Sequence, residues 1–193
     1  MNHINNYMYE VQDIALGIDR HSIHKMVAYL KDYKDMGRVF VLGVGGSAAN
    51  ASHMVNDLRK LCGIEAYAPT DNVSELSART NDEGFETTFV EYLKVSRFSE
   101  YDCVFVLSVG GGSKEKNVSV NLINAIDYAR KKGGTVLSIV GKPNGYAVSA
   151  SNASVVVPSI KENRVTPHSE AFQAVIWHCL VSHPDLQVNP TKW

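Results

Sequence analysis

Arg38-Val39-Phe40-Val41-Leu42-Gly43-Val44-Gly45-Gly46-Ser47 sets an apolar run directly against a glycine-rich turn that ends in serine. A run that is apolar on both faces marks a strand buried in a parallel sheet, with helices covering both sides. From Ser47 to about Cys62 the spacing becomes helical, so the stretch reads strand, tight turn, helix.

Working outward, the same alternation returns. Asp102 to Ser108, Thr135 to Gly141 and Ala153 to Pro158 are further apolar runs, and Glu65 to Ala68 is a weaker one. Helical stretches lie between and after them: about Phe85 to Val95, Asn117 to Lys132, and Ser169 to Ser182, with Pro167 and His168 marking the last start. Strands alternating with helices predict a three-layer αβα sandwich on a mostly parallel five-stranded sheet. Before the first strand, Met8, Val11, Ala15 and Ile18 recur at helical spacing, as do Ile23, Met26, Val27 and Leu30. These two N-terminal helices must bury their stripes against the sheet or against another subunit.

Composition narrows the function classes. The 193 residues suit one domain, and 45% hydrophobic content supplies a core. Nineteen basic and twenty acidic residues nearly cancel, with no block of one sign, so no nucleic-acid partner is expected. The three cysteines, Cys62, Cys103 and Cys179, are odd in number and widely spaced, unlike a disulfide framework or a metal knuckle. Residues Met1 to Asn6 lack a basic region followed by an apolar one, and no stretch has the length of a membrane span. A soluble cytoplasmic protein without a membrane partner is expected.

In such sheets ligands bind at the carboxyl ends of the strands. Two glycine–serine loops fall there: Gly43 to Ser47, and Ser108-Val109-Gly110-Gly111-Gly112-Ser113. Glycines let a backbone approach an anion, a helix N-terminus offers free N–H groups, and serine hydroxyls add donors. Two such loops on one edge fit a phosphorylated small molecule, although glycines also serve plain tight turns. Gly43 to Ala48 fits G-x-G-x-x-A as well, with Glu65 or Asp71 as a ribose acid, so a nucleotide-dependent enzyme stays open at this point. The G-x-x-x-x-G-K-[ST] pattern is absent.

His53 and Asp57 lie four apart on the helix after the first loop and so share a face, a spacing that suits a divalent ion. Glu170 and His178 lie near the other end of the chain. Asn81-Asp82 sit in a polar segment before Phe85, which alone reads as a turn and helix cap. His3, His21, His24, His168 and His183 belong to no constellation and read as surface or structural residues.

In this order, the glycine–serine turn, His53 and Asp57, Asn81 to Phe85, Ser108 to Ser113 and the late Glu/His helix resemble the bacterial phosphoheptose isomerases of the sugar isomerase (SIS) domain family. The resemblance runs to about Leu180. It implies a single SIS domain over 1–193, with N-terminal helices at 1–36, the α/β core at 37–183 and a tail at 184–193. It implies an aldose–ketose isomerase that converts sedoheptulose 7-phosphate to D-glycero-D-manno-heptose 7-phosphate for surface-polysaccharide (lipopolysaccharide) biosynthesis, working as a homotetramer with sites at subunit interfaces. The family's metal and acid/base motif is His-x-x-x-Glu plus a Gln with a His eight positions later. Here it reads His53 to Asp57 and Glu170 to His178, with Glu shortened to Asp and Gln replaced by Glu170. By resemblance His53, Asp57, Glu170 and His178 hold zinc, with Asp57 as base and His178 as acid, two roles that compete with ligation. The implied substrate contacts are Gly45, Gly46, Ser47, Asn81, Asp82, Ser108, Val109, Gly110, Ser113 and Glu170. The chain departs from the family at Val44, where Asn is usual, and at Val109, Gly110 and Gly112, where the central loop is polar. Lys114 or Lys116 is the expected compensation for phosphate. A SIS protein that binds a phosphosugar in a regulatory role, without catalysis, is the alternative.

Overall fold

A computed structural model describes residues 2–192; Met1 and Trp193, the ends of the expected domain, lie outside the described residues. All five expected strands form: β1 (Arg38–Leu42), β2 (Glu65–Tyr67), β3 (Cys103–Ser108), β4 (Thr135–Val140) and β5 (Ala153–Val156). Every pairing is parallel and the order is β2-β1-β3-β4-β5. The chain therefore reverses its direction of growth between β1 and β3, so the crevice above these two strands is the sheet's switch point.

Because side chains alternate across a strand, the sheet feeds two cores. Val39, Val41, Cys103, Phe105 and Leu107 face a cluster that includes Ile14, Met26, Leu30, Met54, Leu58, Phe172 and Trp177. Phe40, Leu42, Val104 and Val106 face the other, with Phe89, Leu93, Leu122 and Ile126. The first layer holds helices α1 (His3–Gly17), α2 (Arg20–Asp32), α3 (Gly46–Cys62) and, last in the chain, α8 (Val165–Val181). The second is built from α5 (Thr88–Val95), α6 (Val120–Lys131) and α7 (Tyr146–Ala150). At the opposite edge from the switch point, Arg38 ties the start of β1 to Asp102 through two short hydrogen bonds, Nε to Oδ1 at 2.9 Å and Nη2 to Oδ2 at 2.8 Å.

Three local expectations change. Asn81 and Asp82 are not in a loop but end helix α4 (Val73–Asp82). That helix has no buried residue, so it carries no apolar stripe to read; the Asn72 cap and the i,i+4 pairs of Arg79 with Glu75 and Glu83 sustain it. The helix expected from Asn117 starts at Val120, because Ser113 and Val118 close a turn on each other through paired backbone bonds. And α8 starts at Val165, with Pro167 in its first turn, where a missing N–H costs nothing.

The N-terminal helices cover the sheet: Ile14, Met26 and Leu30 are fully buried. An ionic cluster fastens α1 to the start of α8. Glu10, buried on α1, accepts from Arg164 Nη1 at 3.1 Å, lies 3.0 Å from His168 Nε2 and pairs with Lys161 at 3.2 Å. His168 is thus structural, as expected, and its ring packs on Tyr7. The bond to His168 and the two cations hold the Glu10 carboxyl below its ordinary value of 4.5.

Two outcomes are expected. Ile14→Ala removes a buried side chain that joins α1 to the core and lowers unfolding free energy by about 3 kcal/mol, read from urea denaturation. A depressed Glu10 stabilises the fold above 4.5 and loses that contribution as pH falls through the folded value. The gap in thermal midpoint between wild type and Glu10→Gln is therefore full at neutral pH and closes on acidification below 4.5.

Candidate active site

Helices α3 and α8 run side by side and place the chemistry. Near their starts, Gln173 Nε2 donates to Ser47 Oγ at 3.0 Å, and Asn50 Nδ2 donates to Gln173 Oε1 at 3.0 Å and to the Glu170 carbonyl at 2.9 Å. Further along, His53 packs edge-on against the buried Trp177, with ring centroids 4.7 Å apart. Beyond that, Asp57 meets His178. The ligating atoms of His53, Asp57 and His178 lie within 4.8 Å of one another. Asp57 Oδ2 stands 3.8 Å from His53 Nε2 and 3.9 Å from His178 Nε2.

The donor chemistry of this group fits a cation. His178 Nδ1 lies 2.8 Å from the Ala174 carbonyl, an acceptor only, so Nδ1 carries the proton and donates it. In the neutral ring Nε2 then keeps its lone pair, and it faces a carboxylate oxygen. Two electron-rich atoms face each other stably only with a proton or a metal ion between them. Ligands on a tetrahedral zinc stand about 3.4 Å apart, a little closer than these pairs, and three protein ligands leave a fourth position open. The Asp57 side chain is 12% exposed whereas those of His53 and His178 are 58% and 51% exposed, so the group opens outward from this chain.

Glu170 is not in this group. It shares one regular helix with His178, and eight residues of helix separate them by about 12 Å along the axis. Its carboxylate lies instead over the first glycine loop: a Cβ added at Gly46 would sit 2.4 Å from Glu170 Oε2. Gly45 turns through φ 63°, a left-handed conformation that favours glycine, and directs the chain into α3.

The two glycine loops do meet at the switch point, after β1 and β3. The three serines are all engaged as acceptors: Ser47 from Gln173, Ser108 from the Gly111 amide at 3.0 Å, and Ser113 from the Lys116 amide at 3.2 Å. Each keeps its hydroxyl proton for another acceptor. Ser113 belongs to the turn before α6, not to a helix start. The residue at the helix start is Ser119, which the sequence reading missed. It caps α6 with φ 51°, unusual for a non-glycine residue, and its side chain makes no cap bond. Beside it, Asn121 Nδ2 is buried with no partner among the described residues. Ser119 and Asn121 line a cavity of about 380 Å³ with Val44 of the first loop, Phe85 and the carboxylate-bearing Glu86. A serine at the last polar position before the Val120 helix was the available signal. Across the second loop, a cleft of about 690 Å³ is lined by Gly110, Ser113, Lys116, Lys142 and Asn144. Lys114, by contrast, is occupied, paired to Asp127 at 2.9 Å and set over the Tyr146 ring. Asn81 and Asp82 are exposed, and their side chains bond each other.

The family model of the SIS domain matches residues 6–141. The lincomycin biosynthesis protein LmbN of Streptomyces lincolnensis is 32% identical over 155 residues, 76% of this chain but only 56% of that protein. A phosphoheptose isomerase of Nitratiruptor is 29% identical over 154 residues, 77% of this chain and 76% of the relative. The solved structure of a phosphoheptose isomerase from Francisella tularensis superposes with a TM-score of 0.75 at 22% identity, covering 94% of this chain and 97% of that one. No helix among the described residues is long and apolar enough to cross a membrane.

If His53, Asp57 and His178 form one site, the purified protein takes up zinc in competition with a chromophoric chelator. His178→Ala then weakens that uptake at least a hundredfold, while the far-ultraviolet circular dichroism is unchanged, because the side chain is exposed.

Proposed function

The chain belongs to the SIS domain family, and on that footing we propose that it is a cytoplasmic aldose–ketose isomerase of a phosphorylated sugar. Sedoheptulose 7-phosphate is the proposed ketose and D-glycero-D-manno-heptose 7-phosphate the product, supplied to surface-polysaccharide synthesis. The whole span 1–193 is read as one SIS domain. The observation that carries this reading is the pairing of a His/Asp/His group with two glycine loops at the switch point, in a chain similar to phosphoheptose isomerases.

The residues divide the work. Substrate phosphate sits at the N-terminus of α6, where the helix dipole, the Ser119 hydroxyl and the unpaired Asn121 amide favour an anion. Val44, where the family has Asn, gives that pocket an apolar wall. His53, Asp57 and His178 hold zinc, which when bound polarises the substrate carbonyl. Of the two roles open to Asp57 and His178, ligation is favoured, since Asp57 Oδ2 lies between two imidazoles.

Homotetramer formation with shared sites is supported by α1, which presents Ile4, Met8 and Leu16 exposed, an apolar face suited to a second copy.

The test is conversion of sedoheptulose 7-phosphate followed by NMR, with added zinc and after chelation. Conversion that falls on chelation is expected. No conversion by folded protein would move the reading to a phosphosugar-binding role without catalysis. Ser119→Ala removes a hydrogen bond to a charged group, so KM rises roughly 10- to 100-fold with kcat little changed. His178→Ala abolishes turnover and leaves the assembly intact by size-exclusion chromatography with light scattering.

A further inference from the structure

Ser119, at the start of α6, stands at φ 51°, and Asn117, two positions earlier, stands at φ 50°. Left-handed backbone is unfavourable for both residue types and persists only where the surroundings impose it. Two sets of contacts do so. On the helix side, the Ser119 carbonyl accepts from the amides of Leu122 and Ile123. On the loop side, Ser113 and Val118 exchange backbone bonds at 2.9 and 3.1 Å, which closes Lys114 to Asn117 into a turn. The turn and the residue that follows it face both cavities: Asn117 and Ser119 line the smaller, Lys116 and Val118 the larger.

Lys114 to Val118 are all exposed, so burial does not hold the turn. One side chain does. Lys114 reaches back along α6, donates to Asp127 Oδ2 at 2.9 Å and lies 4.5 Å from the centre of the Tyr146 ring. The other oxygen of Asp127 accepts from the Tyr146 hydroxyl. Tyr146 opens α7 and is itself fixed to the second glycine loop, its amide donating to the Gly112 carbonyl at 2.9 Å. Lysine, aspartate and tyrosine thus tie the turn, α6 and α7 together at one point. No other side chain of the turn bonds outside it among the described residues.

Resting on the isomerase reading and its placement of phosphate at α6, we propose that Lys114, Asp127 and Tyr146 are positioning residues. They hold the 113–118 turn, and through it Ser119, in the geometry that receives the substrate phosphate. The Lys114 and Asp127 side chains are 57% and 43% exposed, and an ion pair so exposed adds little to the stability of a fold. What it sets is the fraction of molecules in which the turn is closed, and apparent phosphate affinity scales with that fraction. The clamp therefore acts on binding. The His53, Asp57 and His178 group stands on other helices, α3 and α8, and is left as it is.

The experiment measures binding of inorganic phosphate by calorimetry, and KM and kcat for sedoheptulose 7-phosphate, in Lys114→Met, Asp127→Asn and the double variant. Each single variant is expected to weaken phosphate binding and raise KM about fivefold. The kcat stays within about twofold, and the thermal midpoint within about 3 °C. The double variant is expected to be no weaker than either single one, because both remove the same contact, and Lys114→Arg restores binding. Phosphate affinity in Lys114→Met within about 1.5-fold of wild type overturns the proposal, as do additive losses in the double variant or a loss carried by kcat. Ser119→Ala separates the clamp from the reading beneath it. If that variant binds phosphate weakly while Lys114→Met binds it normally, the clamp alone falls. If Ser119→Ala binds phosphate as wild type does, or wild type binds none, the placement of phosphate at α6 fails and the clamp with it.

Discussion

The seam between α3 and α8 fixes the His53, Asp57 and His178 group and the place of Glu170. Ser47, Asn50 and Gln173 form a short hydrogen-bonded ladder between the two helices, in which Ser47 and Gln173 are buried and Asn50 is partly exposed. An amide buried so deeply must keep its partners, because an unsatisfied one costs on the order of 1–3 kcal/mol. The ladder therefore sets the register of α8 on α3. That register brings His178 beside His53 and Asp57 at one level and lays the Glu170 carboxylate over Gly46 at another. A slip of one helical residue would rotate each of these side chains by about 100° and dissolve both arrangements.

Trp177 completes the seam. It is fully buried, and both histidine rings rest on it, His53 edge-on and His178 face-on at 3.5 Å between centroids. An indole of this size gives the imidazoles a rigid floor, so their orientation follows from packing as well as from the Ala174 carbonyl. The polar group thus stands on an apolar base, and it opens outward.

The two ends of the sheet have separate duties. At the strand starts, Arg38 and Asp102 lock β1 to β3 with charge-assisted bonds. At the strand ends, the backbone carries glycines, left-handed residues at Asn117 and Ser119, and an unpaired buried amide at Asn121. Left-handed backbone also occurs at Arg97, whose carbonyl accepts from Arg38 at the other end of the sheet.

Buried parallel strands must be apolar on both faces, and so four of the strands and both glycine loops were legible in the residue order, while the edge strand β2, with Glu65 and Tyr67 exposed, left a weaker trace; His53 and Asp57 were legible too, since they share a helix face through simple i,i+4 spacing. The polar helix α4 was not, since it buries nothing and leaves no periodic trace. Ser113 and Ser119 exchanged importance because backbone pairing between Ser113 and Val118, invisible in composition, delays α6 to Val120. Glu170 was grouped with His178 by resemblance to the family motif, yet eight residues of one helix separate them. Local order gives the elements and their faces; which faces meet is settled by the packing of α8 on α3, and that depends on contacts between residues more than a hundred positions apart.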